Sequence, residues 1–252
     1  ILFVSFNQNN EKTVLNEHIV IIKADENKGF AHGNNVALQF ASKQNDAAYF
    51  WILNNDTIVT SNTLSELQQY HKQHPKTILG SKLLYFSNKD LVQAVGGSFN
   101  KALYICEHIG EGKSKDVLKK DLQPIDYPIG ASMFVSKEFV EEIGMLNEDF
   151  FLYYEELDWV YRAKQKGYTP DWCEQSIVYH KEGATIGSSY KNKKSIFSET
   201  QLFISRKKFI EKYYTLGFKF YFSSLIIVLN RLRKGQFSLA NQLIKITFND
   251  IK

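Results

Sequence analysis

Residues 49–57 read YFWILNNDT, an apolar run that changes abruptly to polar residues at Asn54. Residues 47–53 have the length and the aromatic and aliphatic content of a strand buried in a sheet. Polar groups that follow the carboxyl end of such a strand lie where open α/β sheets bind their ligands. Asp56 can therefore bind a hard divalent cation, which in turn neutralises a diphosphate. The same residues also fit an Asx-type turn before the next helix.

Short apolar runs alternate with amphipathic stretches through the first half of the chain. This alternation predicts an α/β fold in which helices connect the strands of a mostly parallel sheet. Besides residues 47–53, the predicted strands are Ile1–Phe6, Ile19–Lys23 and Ile78–Phe86, and the predicted helices are Asn34–Ser42, Thr60–His71 and Lys137–Ile143. Ser61 or Asn62 is expected to cap the second helix, and Gly144 to end the third.

The composition excludes several classes of protein. A chain of 252 residues with 44% hydrophobic and 23% charged residues is not disordered, collagen-like or a disulfide mini-protein. A net charge of +4 is too small for a dedicated nucleic-acid-binding protein. Cys106 and Cys173 lie far apart without metal-ligand spacing, which indicates a reducing compartment. Because residues 1–6 lack the pattern of a signal peptide, we expect a cytoplasmic protein.

A second polar group ends the aromatic stretch at residues 147–159, which read NEDFFLYYEELDW. Three carboxylates fall within four residues here: Glu155, Glu156 and Asp158. Like charges at close range raise one another's pKa, which suits a general base for a hydroxyl. An acidic first helical turn that complements the helix dipole would give the same pattern.

His180 and a glycine-containing stretch complete the set of candidates. His180 follows an apolar, strand-like run, and an imidazole there can complete a metal site or contact a phosphate, or can be a hydrogen-bonded core residue. Residues 26–35 read ENKGFAHGNN, in which two glycines and several amides precede a helix. Such a stretch lets the backbone approach a nucleotide or phosphate closely. Its glycine spacing matches neither the P-loop nor the dinucleotide fingerprint.

Together, in this order, these segments resemble family 2 glycosyltransferases, and among them the rhamnosyltransferase-like bacterial branch. The resemblance covers nearly the whole chain. The matching stretches are NKGFAHGNN at 27–35, NND at 54–56, GASMFV at 130–135, residues 150–162 with Gly167 and Tyr168, His180 with Gly183 and Thr185, and FISRKK at 203–208.

The resemblance implies a GT-A fold and transfer of a sugar, rhamnose among the candidates, with inversion at the anomeric carbon. It also implies a dTDP- or UDP-sugar donor, a glycan or lipid-linked acceptor, and a divalent metal, Mg²⁺ or Mn²⁺. The residues that match the family's metal ligands are Asp56 and His180, and those that match its nucleotide-binding side are Asn27, Gly29, Asn35 and Asn54. Glu155–Glu156 matches the usual Glu-Asp pair, so Glu156 stands in the position of the catalytic base, with Asp158 as its rival.

The start of the chain departs from the family pattern. The family's second strand normally ends in Asp-Asn-x-Ser-x-Asp, and FVSFNQNN at residues 3–10 places Phe6 where an aspartate is expected. In that register the first strand and helix are missing. In the other register, residues 4–7 are the first strand and a helix and a strand are deleted after them. Either way the base-binding corner is incomplete, which predicts a truncated chain or a degenerate relative with weakened donor binding.

Two other functions fit parts of the sequence. A non-catalytic relative that binds a glycan or a partner enzyme would tolerate Phe6 in the aspartate position. A sugar-phosphate nucleotidyltransferase shares the sheet architecture, but no basic glycine-rich loop appears near the first strand.

The sequence divides into a GT-A domain at residues 1–195 and a C-terminal helical extension at residues 196–252. Aromatic and aliphatic residues recur with basic ones in this extension, and its most apolar run, Phe220–Leu229, is shorter than the roughly 20 residues that cross a bilayer. The extension can lie in the interface of an anionic membrane, as a peripheral contact on the inner face of the cell membrane. The alternative is a helix packed on the catalytic domain with a solvated basic end.

Overall fold

The computed structural model describes residues 2–5 as backbone, and residues 19–44, 46–181 and 195–249 with side chains. The strands in these ranges are β1 (Leu2–Ser5), β2 (Val20–Lys23), β3 (Tyr49–Leu53), β4 (Thr57–Val59), β5 (Thr77–Tyr85), β6 (Val92–Ala94), β7 (Gly96–Asn100), β8 (Ile105–Ile109), β9 (Ser132–Ser136) and β10 (Thr169–His180). The helices are α1 (Phe30–Gln44), α2 (Thr63–Gln73), α3 (Lys137–Ile143), α4 (Glu155–Lys164), α5 (Ile196–Tyr213), α6 (Phe218–Arg233) and α7 (Phe237–Phe248).

The large sheet is mixed, so the prediction of a mostly parallel sheet is wrong. Its strands follow the order β3-β9-β5-β10-β4, with β6 also paired to β5. Among the described strands of this sheet, β5 and β10 are the parallel pair, and the other pairings are antiparallel. The prediction assumed a helical crossover after each strand. Instead, β4 follows β3 after three residues, and β9 enters between β3 and β5 in the reverse direction.

Three strands nevertheless point the same way, and two of them, β3 and β10, deliver polar residues to one edge of the sheet. β3 and β5 both pair antiparallel with β9, and β10 runs parallel to β5. The carboxyl ends of β3 and β10 therefore share an edge. The antiparallel register of β4 on β10 sets Thr57 opposite His180, which brings the preceding residue, Asp56, next to the histidine.

The local predictions are largely confirmed, with shifted boundaries. α1 begins at Phe30 rather than Asn34, and the backbone N–H of Phe30 donates to the carbonyl of Phe151 at 2.8 Å. α2 begins at Thr63 because residues 57–59 form the unpredicted strand β4. Asn62 is the N-cap residue of α2, but its side chain makes no capping hydrogen bond.

α3 is confirmed at Lys137–Ile143. Its N-cap, Ser136, accepts from the N–H of Phe139 at 3.2 Å, and Gly144 ends it with a φ of +80°. That φ lies in the region that glycine enters without steric cost. The hairpin of β7 and β8 was not predicted.

The C-terminal helices are confirmed, but α5 is not packed separately from the rest. Phe209 and Ile210 of α5 and Phe220 of α6 belong to the same buried cluster as Phe139 of α3 and Trp159 of α4. The division at residue 195 coincides with the start of α5 and stays a prediction. In the described ranges, no helix is both long and apolar enough to cross a membrane.

Candidate active site

A pocket of about 370 Å³ opens at the sheet edge where β3 and β10 end. It receives residues from the turn after β3, from β10, from the segment before β9, from the start of α4 and from α5. Among its lining residues are Asn54, Asp56, Gln93, Gly130, Tyr153, Glu155, Glu156, His180 and Leu202. The structure thus brings together five of the predicted site residues, which were chosen from three separate segments of the sequence.

Asp56 and His180 form the polar end of the pocket. The Nε2 atom of His180 lies 3.2 Å from Oδ1 of Asp56, and both side chains are largely buried. Within the part of the chain that the structure describes, no hydrogen bond reaches Oδ1 of Asp56. The two atoms are therefore within ion-pair distance of each other, although their geometry is not that of a good hydrogen bond. A buried acceptor left without a donor is costly, which indicates that a further group completes this site.

Gln93 of β6 orients the histidine from behind. Its Oε1 atom lies 2.9 Å from Nδ1 of His180. When Nδ1 donates its hydrogen to that oxygen, the lone pair of the neutral imidazole is on Nε2, on the side of Asp56. Burial lowers the pKa of His180 despite the opposing effect of the Asp56 carboxylate, which favours the neutral ring. Sequence patterns did not predict a role for Gln93, because a lone glutamine in a short strand matches no motif.

The Asp56 and His180 pair fits a divalent cation. Two adjacent ligands of an octahedral Mg²⁺ ion are about 3 Å apart, close to the separation seen here. In the described residues, no third histidine, cysteine, aspartate or glutamate joins them. Two protein ligands are enough for a cation that takes its remaining ligands from water and phosphate oxygens. Gly183 and Thr185, which follow His180 in the family resemblance, lie outside the described residues.

Glu155 and Glu156 enter the pocket from a strained turn. Tyr153 and Tyr154, directly before α4, have φ angles of +69° and +71°. Each such residue costs on the order of 1–3 kcal/mol and persists only where the surroundings enforce it. Here the turn sets the first two side chains of α4 into the pocket rather than along the helix surface. The Oε2 atoms of both glutamates are buried and lack a hydrogen-bond partner among the described residues.

The two glutamates have different proton affinities. Burial raises the pKa of Glu156 to about 7, although backbone N–H groups, one of them from Gly130, oppose the shift. Burial and the charge of Glu156 raise the pKa of Glu155 well above its usual value. The two carboxyls titrate as a pair, so near neutral pH they share a proton rather than both being charged. Gly130 lies directly beside the Glu156 carboxylate, since a Cβ there would be in ordinary van der Waals contact with Oε1 of Glu156, at 3.6 Å.

The strained turn is held by α5 and by a buried arginine. Ser205 of α5 donates to the carbonyl of Leu152 at 2.8 Å. The hydroxyl of Tyr154 donates to the carbonyl of Tyr104 at 3.3 Å, and Nε of Arg206 donates to the same carbonyl at 2.9 Å. Tyr104 itself has a φ of +55°. The geometry of the glutamate pair thus depends on the first C-terminal helix.

Asp158 does not enter the pocket, which corrects its place as a rival base. It lies three residues after Glu155 on α4, outside the pocket lining, and its carboxylate is fully buried. It accepts from Nε of Arg162 at 2.9 Å, from Nζ of Lys212 at 2.7 Å and from the hydroxyl of Tyr213 at 2.8 Å. These bonds attach α4 to α5. With these three partners, the Asp158 carboxylate stabilises the packing of α4 against α5.

Residues of the glycine-containing loop make internal contacts, and their predicted contacts with a nucleotide stay a prediction. Oδ1 of Asn27 accepts from the N–H of Gly29 at 3.0 Å. Gly29 has a φ of +98°, and a Cβ there would lie 2.1 Å from the carbonyl oxygen of Phe151. Asn35 is buried and bonds to both the carbonyl and the N–H of Leu146, and to Glu148. Asn54, by contrast, lines the pocket as predicted.

The family of the chain follows from its sequence match. A family model described as glycosyl transferase family 2 matches residues 6–144, more than half of the chain. The chain therefore belongs to glycosyl transferase family 2.

Two known proteins extend this comparison. The low-salt glycan biosynthesis hexosyltransferase Agl10 of Haloferax volcanii is 26% identical over 166 residues, which are 66% of this chain and 53% of that protein. The chain thus spans about half the length of this curated relative. A crystal structure of GalNAc-T7 with UDP, GalNAc and Mn²⁺ superposes with a TM-score of 0.55 at 13% identity, over 76% of this chain and 36% of that one. This likeness supports a GT-A-like fold.

We expect Asp158→Asn to lower the free energy of unfolding by about 2–3 kcal/mol, because it weakens three bonds to a buried carboxylate. Glu156→Gln is the matched variant two residues away. Since burial raises the pKa of Glu156, the charged form opposes folding above pH 7, and Glu156→Gln should leave stability unchanged or raise it at pH 8. Urea unfolding of both variants measures the difference. Equal stability of Asp158→Asn and the wild type would contradict the packing role.

We expect Gln93→Leu to lower Mn²⁺ affinity by about 10–100-fold, as the loss of an outer partner of a metal-binding histidine does. Gln93→Glu should retain the affinity, because a carboxylate oxygen can also accept from Nδ1 of His180. Gln69→Leu, an exposed position on α2, is the control for the change of residue type. Electron paramagnetic resonance of Mn²⁺ in the presence of UDP measures the bound fraction. Failure of Gln93→Glu to restore binding would show that the histidine is not oriented this way.

Proposed function

We propose that this chain transfers a sugar from a nucleotide-diphosphate donor to a hydroxyl of a glycan or lipid-linked acceptor, with inversion at the anomeric carbon. One observation carries the proposal. Asp56 with His180, and Glu156 with Glu155, lie in one pocket and leave buried oxygens without partners in the described residues. The first pair suits a cation and the second a proton. A dTDP- or UDP-sugar donor and rhamnose as one candidate sugar rest on the family resemblance.

Glu156 acts as the base in the proposed reaction. Its carboxylate accepts the proton of the acceptor hydroxyl while that oxygen attacks the anomeric carbon, and the nucleoside diphosphate leaves from the opposite face. A pKa of about 7 matches such a task at neutral pH. Glu155, protonated next to it, adds no second negative charge that would repel the donor. The apolar side chains of Leu152 and Leu202 limit the entry of water to this end of the pocket.

Asp56 and His180 act on the leaving group. They would hold a divalent cation, which would supply positive charge to the leaving diphosphate, where such charge stabilises the transition state more than the ground state. Asn54, in the same turn as Asp56, lines the pocket and can donate its amide N–H groups to the donor.

A second candidate is a non-catalytic relative that binds a glycan or a partner protein. The observation that favours it is the internal engagement of Asn27 and Asn35, which leaves the nucleotide side of the site with fewer free donors than the family resemblance implies. Calorimetry separates the two candidates, because a binding module of this kind has no metal-dependent affinity for a nucleotide.

We expect Asp56→Ala to lower donor hydrolysis or transfer by at least about 10²-fold, because charge on the leaving diphosphate is no longer neutralised. It should also abolish the Mn²⁺ dependence of UDP and dTDP binding, measured by calorimetry. Asp46→Ala, an exposed aspartate before β3, is the control. Wild-type protein that binds no nucleotide with Mn²⁺ would favour the non-catalytic relative, and unchanged turnover of Asp56→Ala would remove Asp56 from the reaction.

We expect the wild-type transfer rate to rise with pH and to reach half its maximum near pH 7, as Glu156 loses its proton. Glu156→Gln should retain UDP affinity, lose about 10²–10⁴-fold in transfer rate and lose this pH dependence. Glu155→Gln, which replaces a protonated acid with a neutral amide of the same shape, should cost much less. The pH–rate profiles of the three proteins decide the assignment, and a larger loss for Glu155→Gln would make Glu155 the base.

A further inference from the structure

The outer face of α6 is apolar and exposed. Its exposed apolar residues recur at intervals of four, three, four and three, which places them in one stripe along the helix. The stripe consists of Phe218, Phe222, Leu225, Leu229 and Leu232, with exposed fractions of 81%, 48%, 53%, 53% and 37%, and Tyr221 and Ile226 beside it are also exposed. Single exposed apolar residues are ordinary on a protein surface, but a continuous stripe of five marks an interaction surface.

α7 extends this surface. Phe248, near the end of α7, is 72% exposed, and its ring stacks on that of Tyr221 of α6 at 5.7 Å. Ile244, one turn earlier on α7, is also exposed. The outer face of α6 and α7 is defined here as the α6 stripe together with Tyr221, Ile244 and Phe248.

The exposure is not a sign of loosely attached helices. The opposite side of the pair is buried: Phe220 packs into the main core, and Val228 packs with Leu239 and Leu243 of α7. Ser223 and Ser224, also buried, bond to the guanidinium group of Arg206 in α5. Both sides of α6 are thus apolar, and one of them packs against the rest of the protein.

The positive charge around the outer face favours an anionic membrane over a second copy of the chain as its binding partner. Residues 218–249 contain five basic residues and no aspartate or glutamate: Lys219, Arg231, Arg233, Lys234 and Lys245. Arg231 pairs with Glu199 at 2.7 Å, and the other four are exposed. Lys219 and Arg233 directly follow stripe residues, so they flank the apolar surface. Two copies of such a face would bring like charges together, whereas anionic lipid headgroups attract them.

We propose that the outer face of α6 and α7 is a peripheral membrane-binding surface for a bilayer that contains anionic lipids. Its apolar side chains enter the boundary between headgroups and acyl chains, while Lys219, Arg233, Lys234 and Lys245 contact the headgroups. Both helices lie in the plane of the interface.

α5 connects this surface to the pocket. Leu202 lines the pocket, and the next residue, Phe203, packs against Val228 of α6 and Leu239 of α7. Since packed helices are about 8–10 Å apart, the pocket lies roughly two helix diameters from the lipid. Docking by the outer face therefore holds the pocket at a fixed height above the membrane.

The test is flotation of the full chain with two kinds of vesicle, phosphatidylcholine alone and phosphatidylcholine mixed with phosphatidylglycerol. We expect the protein to float with the mixed vesicles, less at high salt, and much less with phosphatidylcholine alone. The variant Phe222→Ser/Leu225→Ser/Leu229→Ser should lose at least about tenfold in vesicle affinity for the removed apolar contact. The control, Leu64→Ser/Leu118→Ser, changes exposed apolar residues elsewhere on the molecule and should float as the wild type does.

A second pair of variants tests the charges. Lys219→Gln/Arg233→Gln/Lys234→Gln should weaken binding to the mixed vesicles by about 100-fold, at roughly fivefold for each charge. Lys72→Gln/Lys113→Gln/Lys166→Gln removes three exposed lysines elsewhere and should have only a small effect. Because all substituted side chains are exposed, circular dichroism and urea unfolding should match the wild type.

Three results would overturn the proposal. The first is a wild-type protein that floats with neither kind of vesicle. The second is flotation that survives the three serine substitutions. The third is a concentration-dependent dimer, seen by sedimentation, that these substitutions abolish while vesicles are not bound, which would assign the face to a second copy of the chain.

Discussion

The register of β4 against β10 is the constraint on which the rest of the site depends. It pairs Thr57 with His180 and so places Oδ1 of Asp56 3.2 Å from Nε2 of His180, although the two residues are 124 positions apart in the sequence. Hydrogen bonds between the strands, rather than contacts between the two side chains, hold them there. The sheet therefore offsets the cost of removing these two polar side chains from water. A slip by one residue would turn His180 to the other face and end the pairing.

The second pair of functional groups is held differently. Glu155 and Glu156 begin a helix, and their direction is set by two consecutive residues in the left-handed region, Tyr153 and Tyr154. No glycine relieves that strain, so packing must offset it. The ring of Tyr154 is buried against Phe99 and Phe209, and its hydroxyl bonds to the carbonyl of Tyr104. The sheet thus positions Asp56 and His180, whereas aromatic packing positions Glu155 and Glu156. Substitutions in that packing should therefore displace the glutamates more than the Asp56 and His180 pair.

Patterns within short windows of the sequence predicted most helices and strands and placed Asp56 and His180 at strand ends, where their meeting follows from ordinary sheet geometry. What they could not predict depends on pairing between distant segments. The reversed direction of β9 is one case. The partners of Asp158 on α5 are another, since an acidic residue on a helix reads the same whether it faces a pocket or Lys212. The hydrogen bond from Asn35 to Leu146 was not predicted for the same reason, because the two residues are 111 positions apart. Gln93 carried no local signal at all.

Arg206 limits how the helices after residue 215 can be replaced. Its guanidinium group is buried without a carboxylate partner among the described residues, and it donates to the carbonyls of Leu103 and Tyr104 and to the hydroxyls of Ser223 and Ser224. It therefore joins α6 to the loop that supports Tyr154. The helices after residue 215 cannot be exchanged independently, because a replacement without those two serines would leave the buried guanidinium group with fewer acceptors beside the turn at Tyr153 and Tyr154. A recombinant protein that exchanges the C-terminal helices must therefore also exchange the loop at residues 100–104.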